Sequence, residues 1–151
     1  MKICLGVYDV PEPGNLTSHE LGEILEKKYT VFSAFADNNM QKIADHLSDS
    51  VAIAMENLAM GIVPKDIFAP AGEQITQDMK KFISMQEIEK LGIPGVPTQA
   101  ALDGLTLRTK NGRAPKKVKS GQKFKKQYGP RRPSFMYSGI FEASLKGWVE
   151  E

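Results

Sequence analysis

The chain has 151 residues, 41% hydrophobic and 25% charged. That is the size and balance of one globular domain with a modest core, not of a disordered chain or a repetitive fibre. The formal net charge of +2 conceals an uneven distribution: residues 104–141 carry eleven of the 20 Lys and Arg and no Asp or Glu, which leaves nine basic against 18 acidic residues elsewhere, a net of −9. With Cys4 as the single cysteine, an intrachain disulfide and a cysteine-based metal site are both excluded, and Cys4 itself reads as a small core residue.

Residues 1–8 are too short for the apolar core of a signal peptide, and no stretch approaches the roughly 18 apolar residues that span a bilayer. A soluble protein is expected, with no membrane partner, made in a cytoplasm or in a particle built there. Residues 2–8, with Ile3, Leu5 and Val7 alternating, predict a short strand. Residues 9–15 contain Pro11, Pro13 and Gly14 and predict a turn. Thr17 followed by Glu20 matches a capping box, so a helix is expected over 18–28, with Lys27 and Lys28 at the end where the helix dipole favours cations.

A longer helix is predicted over 31–60. Ile43, Leu47, Val51, Ala54, Leu58 and Ile62 recur at steps of four and three and form one apolar stripe. At 1.5 Å per residue this helix is about 45 Å long, which suits an element that crosses the core or packs on a neighbouring subunit. Ala52, Ala54 and Ala59 would permit close approach of another helix, and Gly61 and Pro64 end it. Residues 67–70 read as a loop. Thr76 opens a further helix with Met79, Phe82 and Ile83, and a second capping-box pattern, Ser84 and Glu87, predicts a break and restart before Gly92. Residues 92–97, with Pro94 and Pro97, form a stiff connector; 98–102 suit a single turn and 105–108 alternate as a strand does. Ser138 is placed to cap a last helix containing Ile140, Phe141, Ala143, Leu145, Trp148 and Val149, with Trp148 anchoring it on the core. The fold class expected is α+β: N-terminal helices, one of them long, packed on a small β-sheet. Residues 1–151 make a single domain, with 104–133 as an extended basic arm and 134–151 as a C-terminal docking segment.

Chemistry is sparse. Neither nucleotide-binding glycine pattern occurs, and no serine sits in a nucleophile-elbow pattern. His19 and His46 fall on different predicted helices. Asp45 and Asp49 flank His46 without sharing a face with it, which is a solvated surface and not a metal site. The pairs Asp45/Asp49 and Glu87/Glu89 have no acid–base partner. No catalytic residue, cofactor or metal is therefore assigned, and the protein is read as non-enzymatic.

The arm carries Arg108, Lys110, Arg113, Lys116, Lys117, Lys119, Lys123, Lys125, Lys126, Arg131 and Arg132. Three explanations fit it. It is a solvated loop, as charge runs usually are; or it binds nucleic acid, with lysines on phosphates and Phe124 and Tyr128 stacking on bases; or it lies on an acidic protein surface, which the −9 body of a neighbouring copy would supply. Head-to-tail contacts of the last kind close into rings.

The segment Arg132-Pro133-Ser134-Phe135-Met136-Tyr137-Ser138-Gly139-Ile140-Phe141-Glu142-Ala143-Ser144-Leu145 resembles the ending of the small neck proteins of tailed bacteriophages, the tail-completion or head–tail joining proteins. In that ending Arg-Pro-x-Phe is followed by Thr/Ser-Gly, an apolar residue and Ser. The order of parts is similar too: helices, a glycine-rich basic middle, then Ser138-Gly139. Ser138 stands where Thr is commoner, and fewer residues follow the motif than in many relatives, so a final strand is expected to be absent or very short. The resemblance implies an α+β structural virion protein without enzymatic activity, which forms a hexameric or other ring at the neck and completes the tail. Its partners would be copies of itself and neighbouring neck, connector and tail-tube proteins, with DNA passing through the ring. It would assemble in the host cytoplasm and reside in the virion. Ser138 and Gly139 are read as structural positions, the hydroxyl capping a helix and the glycine allowing close backbone approach, and Trp148 likewise. The alternative function is nucleic-acid binding through the arm.

Overall fold

The computed structural model describes residues 2–12, 16–104, 129–136 and 139–150. The first and last elements pair: β1 (Lys2–Val7) and β2 (Leu145–Glu150) form a two-stranded antiparallel sheet, with Lys2 opposite Glu150 and Val7 opposite Leu145. Between them run α1 (Ser18–Tyr29), α2 (Val31–Ala59), α3 (Ala69–Ser84), a 3-10 helix (Glu87–Leu91), α4 (Gln99–Leu102) and α5 (Ile140–Ser144). The expected α+β class is what the chain adopts, long helix included.

Local chemistry sets the helix ends. The Thr17 hydroxyl accepts the Glu20 N–H at 3.3 Å, and the Glu20 carboxylate accepts the Thr17 N–H at 3.0 Å, the reciprocal capping box read from sequence. Thr30, at φ 49°, turns the chain between α1 and α2. Its side chain does not cap α2. The Glu26 carboxylate does so from the last turns of α1, accepting the Phe32 N–H at 2.8 Å and the Ser33 N–H at 3.4 Å. Gly61, at φ 79°, ends the long helix, and the Ile62 N–H returns to the Asn57 carbonyl at 2.8 Å.

The core is built where α2 crosses α3. Val31, Phe35 and Ile43 meet Ile75, Met79, Phe82 and Ile83, with Leu25, Ile88, Phe141 and Leu145 closing the periphery. The Phe35 and Phe82 rings meet edge to face at 5.5 Å. α3 starts earlier than Thr76, at Ala69, because the Asp66 carboxylate accepts the Phe68 and Ala69 N–H groups and Pro70 occupies the first turn, where a missing N–H costs nothing. The break after Ser84 is present, but not as a capping box. The Ser84 hydroxyl donates back to the Lys81 carbonyl, and Gln86, at φ 61°, reverses the chain.

The C-terminus differs most from expectation. The helix stops at Ser144, and Leu145–Glu150 forms a strand of six residues. Trp148 is therefore not a core anchor. Its ring lies over Gly6 on the open face of the sheet, while Phe141 and Leu145, 3% and 2% exposed, dock the segment. Cys4, opposite Trp148, is half-buried and outside the core. The strand is fixed on its far side by α3. The Thr76 hydroxyl accepts the Gly147 N–H at 2.8 Å and donates to the Gly72 carbonyl at 2.7 Å. Helix and strand backbones come this close only because Gly72 and Gly147 face each other: a Cβ on Gly72 would stand 3.0 Å from the Gly147 oxygen.

Gly72→Ala should therefore lower the stability of the protein by about 1–3 kcal/mol. Urea unfolding checks this, with an earlier midpoint and an unchanged slope as the expected result.

Candidate protein-interaction site

Two surfaces stand out, the base of the basic arm and the far side of α2. Of the arm residues, Arg108, Lys110, Arg113, Lys116, Lys117, Lys119, Lys123, Lys125 and Lys126 lie outside the described residues, as do Phe124, Tyr128, the predicted strand 105–108 and Ser138. The two ends of that segment are described, and they meet. The Gly129 N–H approaches the Asp103 carbonyl at 3.4 Å, and the Arg132 N–H donates to the Ala101 carbonyl at 3.1 Å. Gly104, at φ 58°, lies so close to the Gly129 and Pro130 carbonyls that a Cβ would collide with both.

A carboxylate from a different element locks this junction. Glu89 sits on the 3-10 helix with its side chain only 5% exposed. It accepts the Ser134 N–H at 3.0 Å and the Ser134 hydroxyl at 2.7 Å, and pairs with the Arg131 guanidinium. Ser134, fully buried, also accepts the Thr98 N–H at 3.1 Å, so that α4 joins the same network. Burial alone would push the Glu89 carboxyl up. The two Ser134 hydrogen bonds and Arg131 outweigh burial and hold it below the usual carboxylate range. Arg132 donates to the Met136 carbonyl. The last two cations of the predicted arm are thus spent on the body.

Gly139 is the residue before α5 and adopts φ 78°, with open space where a Cβ would be. Backbone conformation demands this glycine, not close approach. His46 does not gather Asp45 and Asp49. Its Nε2 lies 2.9 Å from Asp78 on α3, and no metal-ligand cluster occurs among the described residues. A cleft of about 430 Å³ between α3 and β2 is lined by Phe68, Glu73, Lys80, Lys146 and Trp148, among others. No described helix is long and apolar enough to cross a membrane.

The second surface corrects the single stripe read on α2. Ile43 and Ala54, each 5% exposed, and Ser50, 3%, face α3. Val51 (41%), Leu58 (52%) and, past the helix end, Ile62 (56%) face solvent, and so do Met40 and Met55. Steps of three and four had merged two lines that lie roughly a quarter turn apart on the helix.

The chain matches no family model, no curated protein and no solved structure.

The Glu89 network yields two expectations. Because its folded carboxyl titrates below the unfolded value of about 4.3, the stabilisation is complete above that pH and is lost as pH falls through the folded value. Glu89→Gln should remove that part of the acid destabilisation while costing about 1–3 kcal/mol at neutral pH, read from denaturation midpoints across pH. Gly104→Ala should open the junction and speed limited proteolysis between 98 and 135, leaving the α2–α3 core protected.

Proposed function

We propose that this chain is a structural, non-enzymatic assembly protein. We place it in the virion of a tailed bacteriophage, as a ring at the head–tail junction that completes the tail and joins it to the head connector. One observation supports it most: a segment of 24 residues with nine Lys and Arg and no carboxylate leaves and re-enters the body at a single clamped junction, fixed by Glu89, Ser134 and Arg131. A floppy surface loop does not need a buried carboxylate at its root. A limb that must hold its position on a partner does. The acidic side chains of the body, such as Glu23, Asp37, Asp45 and Glu56, offer the complementary surface on an adjacent copy. The motif at Arg132-Pro133-Ser134-Phe135 adds to the reading, because its Ser134 is the residue of the clamp that binds Glu89. Neighbouring neck, connector and tail-tube proteins would be the other partners.

Purified particles from a phage encoding this chain test the proposal by mass spectrometry and antibody-labelled electron microscopy. The expected result is the chain at the neck, with separate filled heads and tails when its gene is silenced. A chain absent from particles, with joining unaffected, would overturn it.

A further inference from the structure

The register of the sheet leaves one edge open. Gly147 directs its N–H away from β1, to the Thr76 hydroxyl, and the Tyr8 N–H donates to the Ser144 carbonyl on the β2 side. In an antiparallel pair, residues bonded to each other alternate with residues turned outward. Ile3, Leu5 and Val7, opposite Val149, Gly147 and Leu145, therefore turn their N–H and C=O groups away from β2. Val7 lies against Gly22 of α1. At Ile3 and Leu5, among the described residues, nothing pairs with the outward groups. Sheet edges are usually blunted by a charge, a proline or a bulge. Between Lys2 and Asp9 β1 has no charge and no proline, and its register with β2 runs unbroken. Leu5 and Val7 rest on the core, and Ile3, on the same face of the strand, is 37% exposed.

We infer that this edge takes a third strand, residues 105–108 of an adjacent copy, added parallel to β1 with Leu105 beside Ile3 and Leu107 beside Leu5. Leu105 and Leu107 alternate with Thr106 and Arg108. One face of the added strand is thus apolar and extends the Ile3 and Leu5 face over the core. In this register the Thr106 N–H meets the Ile3 carbonyl, and the Thr106 carbonyl accepts the Leu5 N–H. The opposite face brings Arg108 beside Gly6, where the Trp148 ring lies, a guanidinium against an indole. Lys110 then follows towards the exposed Asp9. The antiparallel direction would set Leu107 beside Ile3 and Arg108 beside Lys2, cation against cation. The donor strand is rooted at the clamp, because residue 105 directly follows Gly104. The acceptor edge is a different patch. Its sheet is tied to the N-terminal half of α3 at Gly72 and Thr76, whereas Glu89 belongs to the 3-10 helix that follows the C-terminal end of α3. Head-to-tail contact needs two such unlike patches, while β1 pairing with its own copy would close a two-fold dimer and go no further. The contact rests on the self-assembly reading given above and names the surface that receives the root of the arm.

Disulfide cross-linking of the full chain in a Cys4→Ser background, with sedimentation velocity over a dilution series, tests the inference. Ile3→Cys and Leu105→Cys, made in separate chains and mixed under mild oxidation, should give disulfide-linked heterodimers, since neighbouring strands hold such pairs within bonding range. With both substitutions in one chain, the product should be a ladder of linked copies. Thr106→Pro, which removes the N–H that meets Ile3, should weaken association at least about tenfold. Thr106→Val should not, and circular dichroism serves as the folding control. A monomer with an internal disulfide would mean that the chain fills its own edge, and would overturn the exchange between copies. A stronger link from Ile3→Cys to Leu107→Cys than to Leu105→Cys would overturn the parallel register. Oligomers that form without the link and survive Thr106→Pro would overturn the edge contact while leaving self-assembly standing. A wild-type chain that stays monomeric at every concentration would overturn self-assembly itself and the contact with it.

Discussion

A helix longer than the body it packs on constrains everything else in this molecule. α2 spans 29 residues, yet α3, its main partner, spans 16. Only one face of α2 can be covered by α3, and that face carries Ile43, Ser50 and Ala54. Towards the C-terminal end that face carries the small residues Ser50 and Ala54, whereas nearer the N-terminus the Phe35 ring meets Phe82 edge to face. The second apolar line has no other element within the described chain to cover it.

The rest of the architecture follows from fixing the two chain ends on α3. β2 is tied to α3 by Thr76 and by the close approach of Gly72 and Gly147, and β1 completes the sheet from the other terminus. The sheet is too small to be stable by itself; it is stable because one edge belongs to a helix. Between α4 and α5 the described residues Phe135 and Met136 pack on the edge of the core, next to the buried Ser134. It is there that the chain departs into its basic segment, and Glu89, from the 3-10 helix, fastens the two ends together. A single carboxylate thus relates the body of the protein to its most charged part.

Much of this was legible in the sequence, and the misses have physical causes. Thr17 with Glu20, Gly61 and Gly92 act through their immediate neighbours, so local rules found them. Glu26 capping α2 and Glu89 binding Ser134 act across 6 and 45 residues. Nothing in local spacing announces such pairs, and Glu89 was set aside for lack of a partner that only the fold supplies. The final strand was mistaken for helix because a short apolar run reads either way until its neighbours are known. The decisive neighbour is Thr76, 71 residues from Gly147. The α2 stripe failed for a subtler reason. Ile43 and Val51 both fit a helical repeat, and periodicity alone does not say that one faces a helix of the same chain and the other faces outward.

The claim that Glu89 fastens the two ends of the basic segment to the body is tested most directly by hydrogen exchange at the Ser134 amide, which donates to the Glu89 carboxylate. The account predicts a slowly exchanging Ser134 amide in the wild type and fast exchange in Glu89→Ala, with the amides of α3 still protected. Equal exchange of Ser134 in the two proteins would contradict it.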